Sequence, residues 1–223
     1  MRIIFVLFLF IYSLMGYEVT IKDIQNNEIT VDKYVKKGVS GIVLCPYENK
    51  GIICAKAVLF GTHGKLDVYD NLKNDSFALP VVFPKVGDKI ILAKDYNRVM
   101  IIAPNQESYL KTKDILKNKI FISPDIFATF LEEIPTKNDF IMFAKKIDIG
   151  LYVFVLDKIY LVDAYSFYTI KSYPLNKNYK YIKPFFTTYN DFTTGESVFS
   201  KIKNLFKSDI KNFNEYYKSL IKE

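Results

Sequence analysis

The chemically distinctive side chains in this sequence are few: two cysteines, Cys45 and Cys54, one histidine, His63, and two arginines, Arg2 and Arg98. A cysteine nucleophile needs a histidine base within reach, and His63 falls in an expected hairpin turn. A zinc site wants roughly three or four protein ligands at suitable spacing, which Cys45, Cys54 and His63, spread over three expected strands, do not supply. No glycine loop of the phosphate-cradling kind occurs. Asp163 and Asp125 are the carboxylates that could pair for acid and base work, but at a strand end and a helix start they read as caps and surface charges. The expectation is therefore no enzyme, no metal and no cofactor. Arg98 sits between Asn97 and an apolar strand, and reads as an ion-pair or backbone-carbonyl donor that ties two halves of the chain together.

The remaining chemistry belongs to lysine. The formal charge is +7, and all but two of the 31 basic residues are lysines. A basic surface suits acidic partners such as lipid headgroups, glycans or nucleic acid. Nucleic acid is set aside, because guanidinium forks make the specific contacts to bases and phosphates and arginine is nearly absent. The plainer account is a solvated lysine surface.

Placing these residues requires the elements. Met1 to Gly16 has a basic start at Arg2, an apolar run from Ile3 to Ile11 and a small residue at Gly16, the outline of an export signal cleaved before Tyr17. The rival, an uncleaved anchor, has a run well short of the roughly 20 residues a spanning helix needs. Residues 17–104 read as a β-rich subdomain, a small antiparallel barrel or sandwich. Val19, Ile21, Ile29 and Val31 alternate about Asn26-Asn27, a hairpin. Ile42 to Tyr47 and Ile52 to Phe60 flank a four-residue turn, Glu48 to Gly51, and a further hairpin turns at Thr62-His63-Gly64. Asn71 to Pro84, with two prolines, reads as a loop. Cys45 and Cys54 lie symmetrically about the Glu48 turn. They either bond in an oxidising compartment or remain two small buried side chains, since a slip of register moves one to the other face. Val86-Gly87-Asp88 opens an apolar run to Leu92, and Val99 to Ile102 forms another, ended by Pro104.

Residues 105–175 read as an α+β subdomain, two or three helices on a small antiparallel sheet. Asn105 caps the first helix, Ser123-Pro124 opens the second, and Thr136 with Asp139 forms a capping box before a third closed by Gly150. Strands return at Tyr152 to Leu156, Ile159 to Val162 and Tyr168 to Tyr173. Residues 176–192 read as an irregular connector. Thr193 with Glu196 then caps an amphipathic helix over 193–223, apolar at Phe199, Ile202, Phe206, Ile210, Phe213, Tyr217 and Leu220 and basic on its other face. That helix either docks on its own domain or meets a membrane surface or another envelope protein.

Tyr96-Asn97-Arg98, then Ile102-Ala103-Pro104-Asn105-Gln106 and Tyr109, followed by Pro124-Asp125-Ile126-Phe127-Ala128 and Asp163 with Ser166-Phe167, resemble the N-terminal domain of the plasminogen-binding protein A family of exported epsilonproteobacterial proteins. The resemblance runs from Tyr17 to about Tyr173. It implies an envelope or surface protein, in the periplasm or on the outer face of a Gram-negative cell, that captures host plasminogen. Plasminogen's kringle modules take a lysine ammonium on a carboxylate pair, best at a chain terminus. Lys218 and Lys222 are then the candidate ligands, lysine being penultimate before Glu223, and the motif residues are structural. The alternative is a periplasmic structural or assembly module with no host ligand.

Overall fold

The computed structural model describes residues 17–68, 82–175, 177, 179–188, 210 and 212–222. The export-signal segment, most of the Asn71 to Pro84 loop, the Thr193 and Glu196 cap, and Glu223 lie outside the described residues.

The fold is α+β, built in layers from strand sequences whose alternation sends successive side chains to opposite faces. β1 (Glu18–Gln25) and β2 (Glu28–Tyr47) are joined at Asn26-Asn27, with Gln25 opposite Glu28 and Asn26 at φ 57°. β3 (Lys50–Val68) runs antiparallel to β2, and β4 (Lys89–Leu92) pairs with both β1 and the second half of β2. β1, β2 and β4 thus pair with one another all round, and the roll has the sheet order β1-β4-β2-β3. The rolling needs a bend in β2, made at Gly38 (φ 79°), where a Cβ would run into Tyr168.

The second sheet has the order β6-β5-β7-β8-β9. Its strands are β5 (Arg98–Ile102), β6 (Ile120–Ile122), β7 (Leu151–Val155), β8 (Lys158–Asp163) and β9 (Thr169–Pro174). Helices α1 (Gln106–Ile115), α2 (Pro124–Phe130) and α3 (Lys137–Ile147) lie between β5 and β7, with α4 (Phe213–Leu220) near the C-terminal end. Among the described residues no helix is long and apolar enough to cross a membrane.

β5 and β7 are buried on both faces, and each face meets a different layer. Val99, Ile101, Leu151, Val153 and Val155 join the first sheet's Val19, Ile21, Leu59 and Ile90 in one core. Met100, Ile102, Tyr152 and Phe154 point the other way, into Phe127, Phe140, Phe143, Phe213 and Tyr217 of the helices. The layers are therefore sheet, sheet, helices.

Five expectations are corrected. Thr62-His63-Gly64 is not a turn: β3 continues through it, with His63 opposite Thr30, because register shifts and Gly61 (φ 74°) absorb the irregularity without reversing the chain. The turn between β2 and β3 has two residues, since Tyr47 faces Lys50; this puts Cys45 opposite Ile52, and Cys54 in a bulge. The second sheet is mixed, because β5 runs parallel to β6 and β7. Asp148, left-handed at φ 55°, caps α3 in place of Gly150. Gly150 instead admits the Asp95 backbone, which a Cβ would strike. The helix near the C-terminus starts afresh at Phe213, with Asn212 extended and its side chain accepting from the Asn214 and Glu215 amides.

Candidate functional site

Cys45 and Cys54 form a disulfide, with Cα atoms 5.8 Å apart. No thiolate is left for nucleophilic or metal chemistry, and among the described residues no group of histidine, cysteine, aspartate and glutamate side chains could hold a metal ion.

Asp163 and Asp125 are not brought together; each is the centre of a separate knot. Asp163 ends β8 and is fully buried. Its Oδ2 accepts from Ser40 N (2.9 Å), Ser40 Oγ (2.5 Å) and Tyr96 OH (2.7 Å), and its Oδ1 from Tyr165 N (3.0 Å) and Ser166 N (2.8 Å). Ser166 Oγ donates to the Gly38 carbonyl (2.6 Å). One carboxylate thus joins β2, the 3-10 turn Lys94–Asn97 and the turn after β8, across the seam between the sheets. Burial pushes the Asp163 carboxyl up, against the hydrogen bonds that favour its charge. Burial and the neighbouring Asp163 both raise the Tyr96 phenol.

Beside it lies a cluster that sequence reasoning missed. Lys56, buried on β3, pairs with Asp95 (3.2 Å) and Asp148 (3.1 Å), donates to Tyr165 OH, and stands 4.4 Å from that ring's centroid. Burial pushes Lys56 down, but Tyr165, Asp95 and Asp148 outweigh it and leave the ammonium well above its ordinary value. Burial raises the Tyr165 phenol to about 12. A permanently charged lysine beside a neutral phenol is unsuited to nucleophilic work, which needs the free amine. The signal for it was a lone charge in the apolar run Ile52 to Phe60.

Asp125, at the start of α2, accepts from Ser123 Oγ (3.0 Å), Thr187 Oγ1 (2.5 Å), Thr188 N (2.6 Å) and Thr188 Oγ1 (2.6 Å). Burial pushes its carboxyl up, but these bonds prevail and hold it below the usual range. Phe186 N donates to the Ala103 carbonyl (2.6 Å), the single Tyr181 phenol proton is shared between the carbonyls of Ile102 (3.0 Å) and Val155 (2.9 Å), and the Phe186 ring meets Tyr109 with centroids 5.7 Å apart. Asn105 caps α1 through Ser108 N (3.0 Å), with Gln106 as the first helical residue. Pro104 and Pro124 are buried, the latter in the first turn of α2. Arg98 donates to the Asp148 (2.9 Å) and Ile147 (2.8 Å) carbonyls, closing the end of α3. Asn97 ends the 3-10 turn. These residues hold a scaffold and strap residues 179–188 across it.

The two candidate ligand lysines lie near the C-terminal end. Lys218, half-exposed on α4, pairs with Asp157 at 2.7 Å. It borders a cavity of about 650 Å³ that Asp157, Tyr179, Lys180, Tyr181 and Asn214 also line. Lys222 is held by its backbone: its N donates to the Phe167 carbonyl and its own carbonyl accepts from Thr169 N, both at 2.8 Å. Its exposed ammonium lies 5.5 Å from the Tyr168 centroid, and no described carboxylate pairs with it. What this arrangement offers chemically is presented ammonium groups.

A family model described as plasminogen-binding protein pgbA N-terminal matches residues 16–221. A plasminogen-binding protein PgbA of Helicobacter pylori is 24% identical over 199 residues, covering 85% of this chain and 43% of the relative. The chain thus spans less than half of that relative's length. No solved structure matches.

Proposed function

This chain belongs to the plasminogen-binding protein pgbA N-terminal family, and on that premise we propose that it is an exported envelope or surface protein that binds plasminogen through exposed lysines, Lys222 foremost and Lys218 beside it. The observation that carries this reading is the clamped backbone of Lys222 together with its exposed ammonium, which no described carboxylate holds. A kringle must gather a lysine ammonium onto carboxylates, and a lysine whose main chain is already ordered loses less conformational entropy on capture. Lys218 must first leave Asp157, a half-exposed pair worth little in water. The role is one of binding, not catalysis.

The second reading is a periplasmic structural or assembly module without a host ligand. It is favoured by Tyr96, Arg98, Asn105 and Asp125 of the motif, whose side chains serve the seam, the helix ends and the strap. Plasminogen capture by the full chain, with and without a lysine analogue, separates the two. Saturable binding that the analogue abolishes, and that Lys222→Ala weakens more than Lys218→Ala, supports the adhesin. Absence of binding favours the module. Point substitutions are the right tools, because truncating α4 would remove Tyr217, which is fully buried.

A further inference from the structure

A second surface, apart from Lys218 and its cavity, combines lysines with aromatic rings. β2 crosses the free edge of β9 at its bend, where Lys36 Nζ donates to the Ile170 carbonyl at 2.5 Å. Lys37 follows, exposed, next to Gly38, which lies against Tyr168. Lys171 is exposed on β9, 4.7 Å from the Tyr173 centroid. Lys137 stands 5.1 Å from the Phe167 centroid, and Lys222 is close enough to lower its pKa by repulsion, after burial. None of these five lysines pairs with a carboxylate among the described residues. Tyr34, two residues before Lys36 in β2 and lying against Gly61 of β3, is 72% exposed, and the Phe60 and Tyr168 rings meet edge to face at 5.5 Å. Asp23 and Glu28 lie beyond Phe60, lining a separate hollow with it.

Like charges gathered without counter-ions raise the local potential, and such a patch attracts anions. Lysines alone would serve any polyanion. An exposed tyrosine beside them fits one surface better: at a bilayer interface the ring sits at headgroup depth while lysine stems lie along the apolar boundary and their ammonium groups reach phosphate. We propose that this rim, Lys36, Lys37, Lys137 and Lys171 around Tyr34 and Tyr168, docks on the anionic headgroups of a phospholipid bilayer.

The test is co-sedimentation of the full chain with vesicles of phosphatidylglycerol and phosphatidylcholine, against vesicles of phosphatidylcholine alone. The apolar segment before Tyr17 is common to every sample, so differences report on the variants. The expected result is a preference for the anionic vesicles that salt weakens, and that Lys37→Glu with Lys171→Glu lowers by at least about thirtyfold. Lys50→Glu with Lys117→Glu, the same charge change at exposed sites elsewhere, should leave most of it. Tyr34→Ala should weaken vesicle binding but not binding to heparin, a soluble polyanion. Equal binding to both vesicle types, equal losses in the two double variants, or a Tyr34→Ala variant that binds vesicles as the parent does would overturn the proposal. Matching thermal melts of the variants establish that they are folded.

Discussion

At the scale of single residues, Asp163 carries the heaviest local demand, since a fully buried carboxylate is tolerated only with its lone pairs satisfied. Asp163→Asn puts an amide donor where five donors already converge, and is expected to lower the unfolding free energy by about 2–4 kcal/mol in urea titrations. The pH dependence has a definite sign. Burial raises the folded-state value above that of an unfolded aspartate. Folding therefore favours the protonated form, and this group's contribution is fully present below about pH 4, the unfolded value, and lost as pH rises through the folded one. The margin of the parent over Asp163→Asn should accordingly shrink between acidic and neutral pH; a margin that widens would contradict this account. By its own chemistry Asp163 read in the sequence as an isolated acid at a strand end, and otherwise only as part of the family resemblance. Ser40 and Tyr96 are remote from it along the chain, and no local pattern encodes that meeting.

At the scale of elements, the strap at 179–188 depends on few ties, and Asp125 supplies several of them. Asp125→Ala should expose that segment to limited proteolysis, cutting first within 182–188, while the circular dichroism of the sheets stays near that of the parent. Early loss of sheet signal would instead make Asp125 a core determinant. Caps and turns were legible in the sequence because their chemistry is local: Asn26-Asn27, Asn105, Ser123-Pro124 and the Thr136–Asp139 box all act within a few residues. Strand direction was not legible. β5 and β7 are buried on both faces, so they read as plain apolar runs without the alternation that marks a one-sided strand. Thr62-His63-Gly64 read as a turn, yet Gly61 and Gly64 serve a register shift and close packing inside one long strand. The start of α4 at Asn212 was hidden because apolar residues continue at helical spacing straight across it.

At the scale of the whole molecule, the two sheets stay together through an apolar face and a polar seam, and the disulfide staples the far end of the β2–β3 arm. Closing so short a loop contributes about 2–3 kcal/mol. Cys45→Ala with Cys54→Ala should lower the denaturation midpoint correspondingly, and reductant should destabilise the parent but not the double variant. A reductant-insensitive parent would mean the bond adds nothing to stability. The clamp on Lys222 has a mechanical meaning as well. A load applied to the chain beyond Lys222 is borne first by its two hydrogen bonds to residues 167–169, and next by Tyr217, seated among aromatic rings behind it. A tether pulled at that point would first break the two bonds at the start of β9 and then peel α4 from the aromatic layer, ahead of any separation of strands within the sheets.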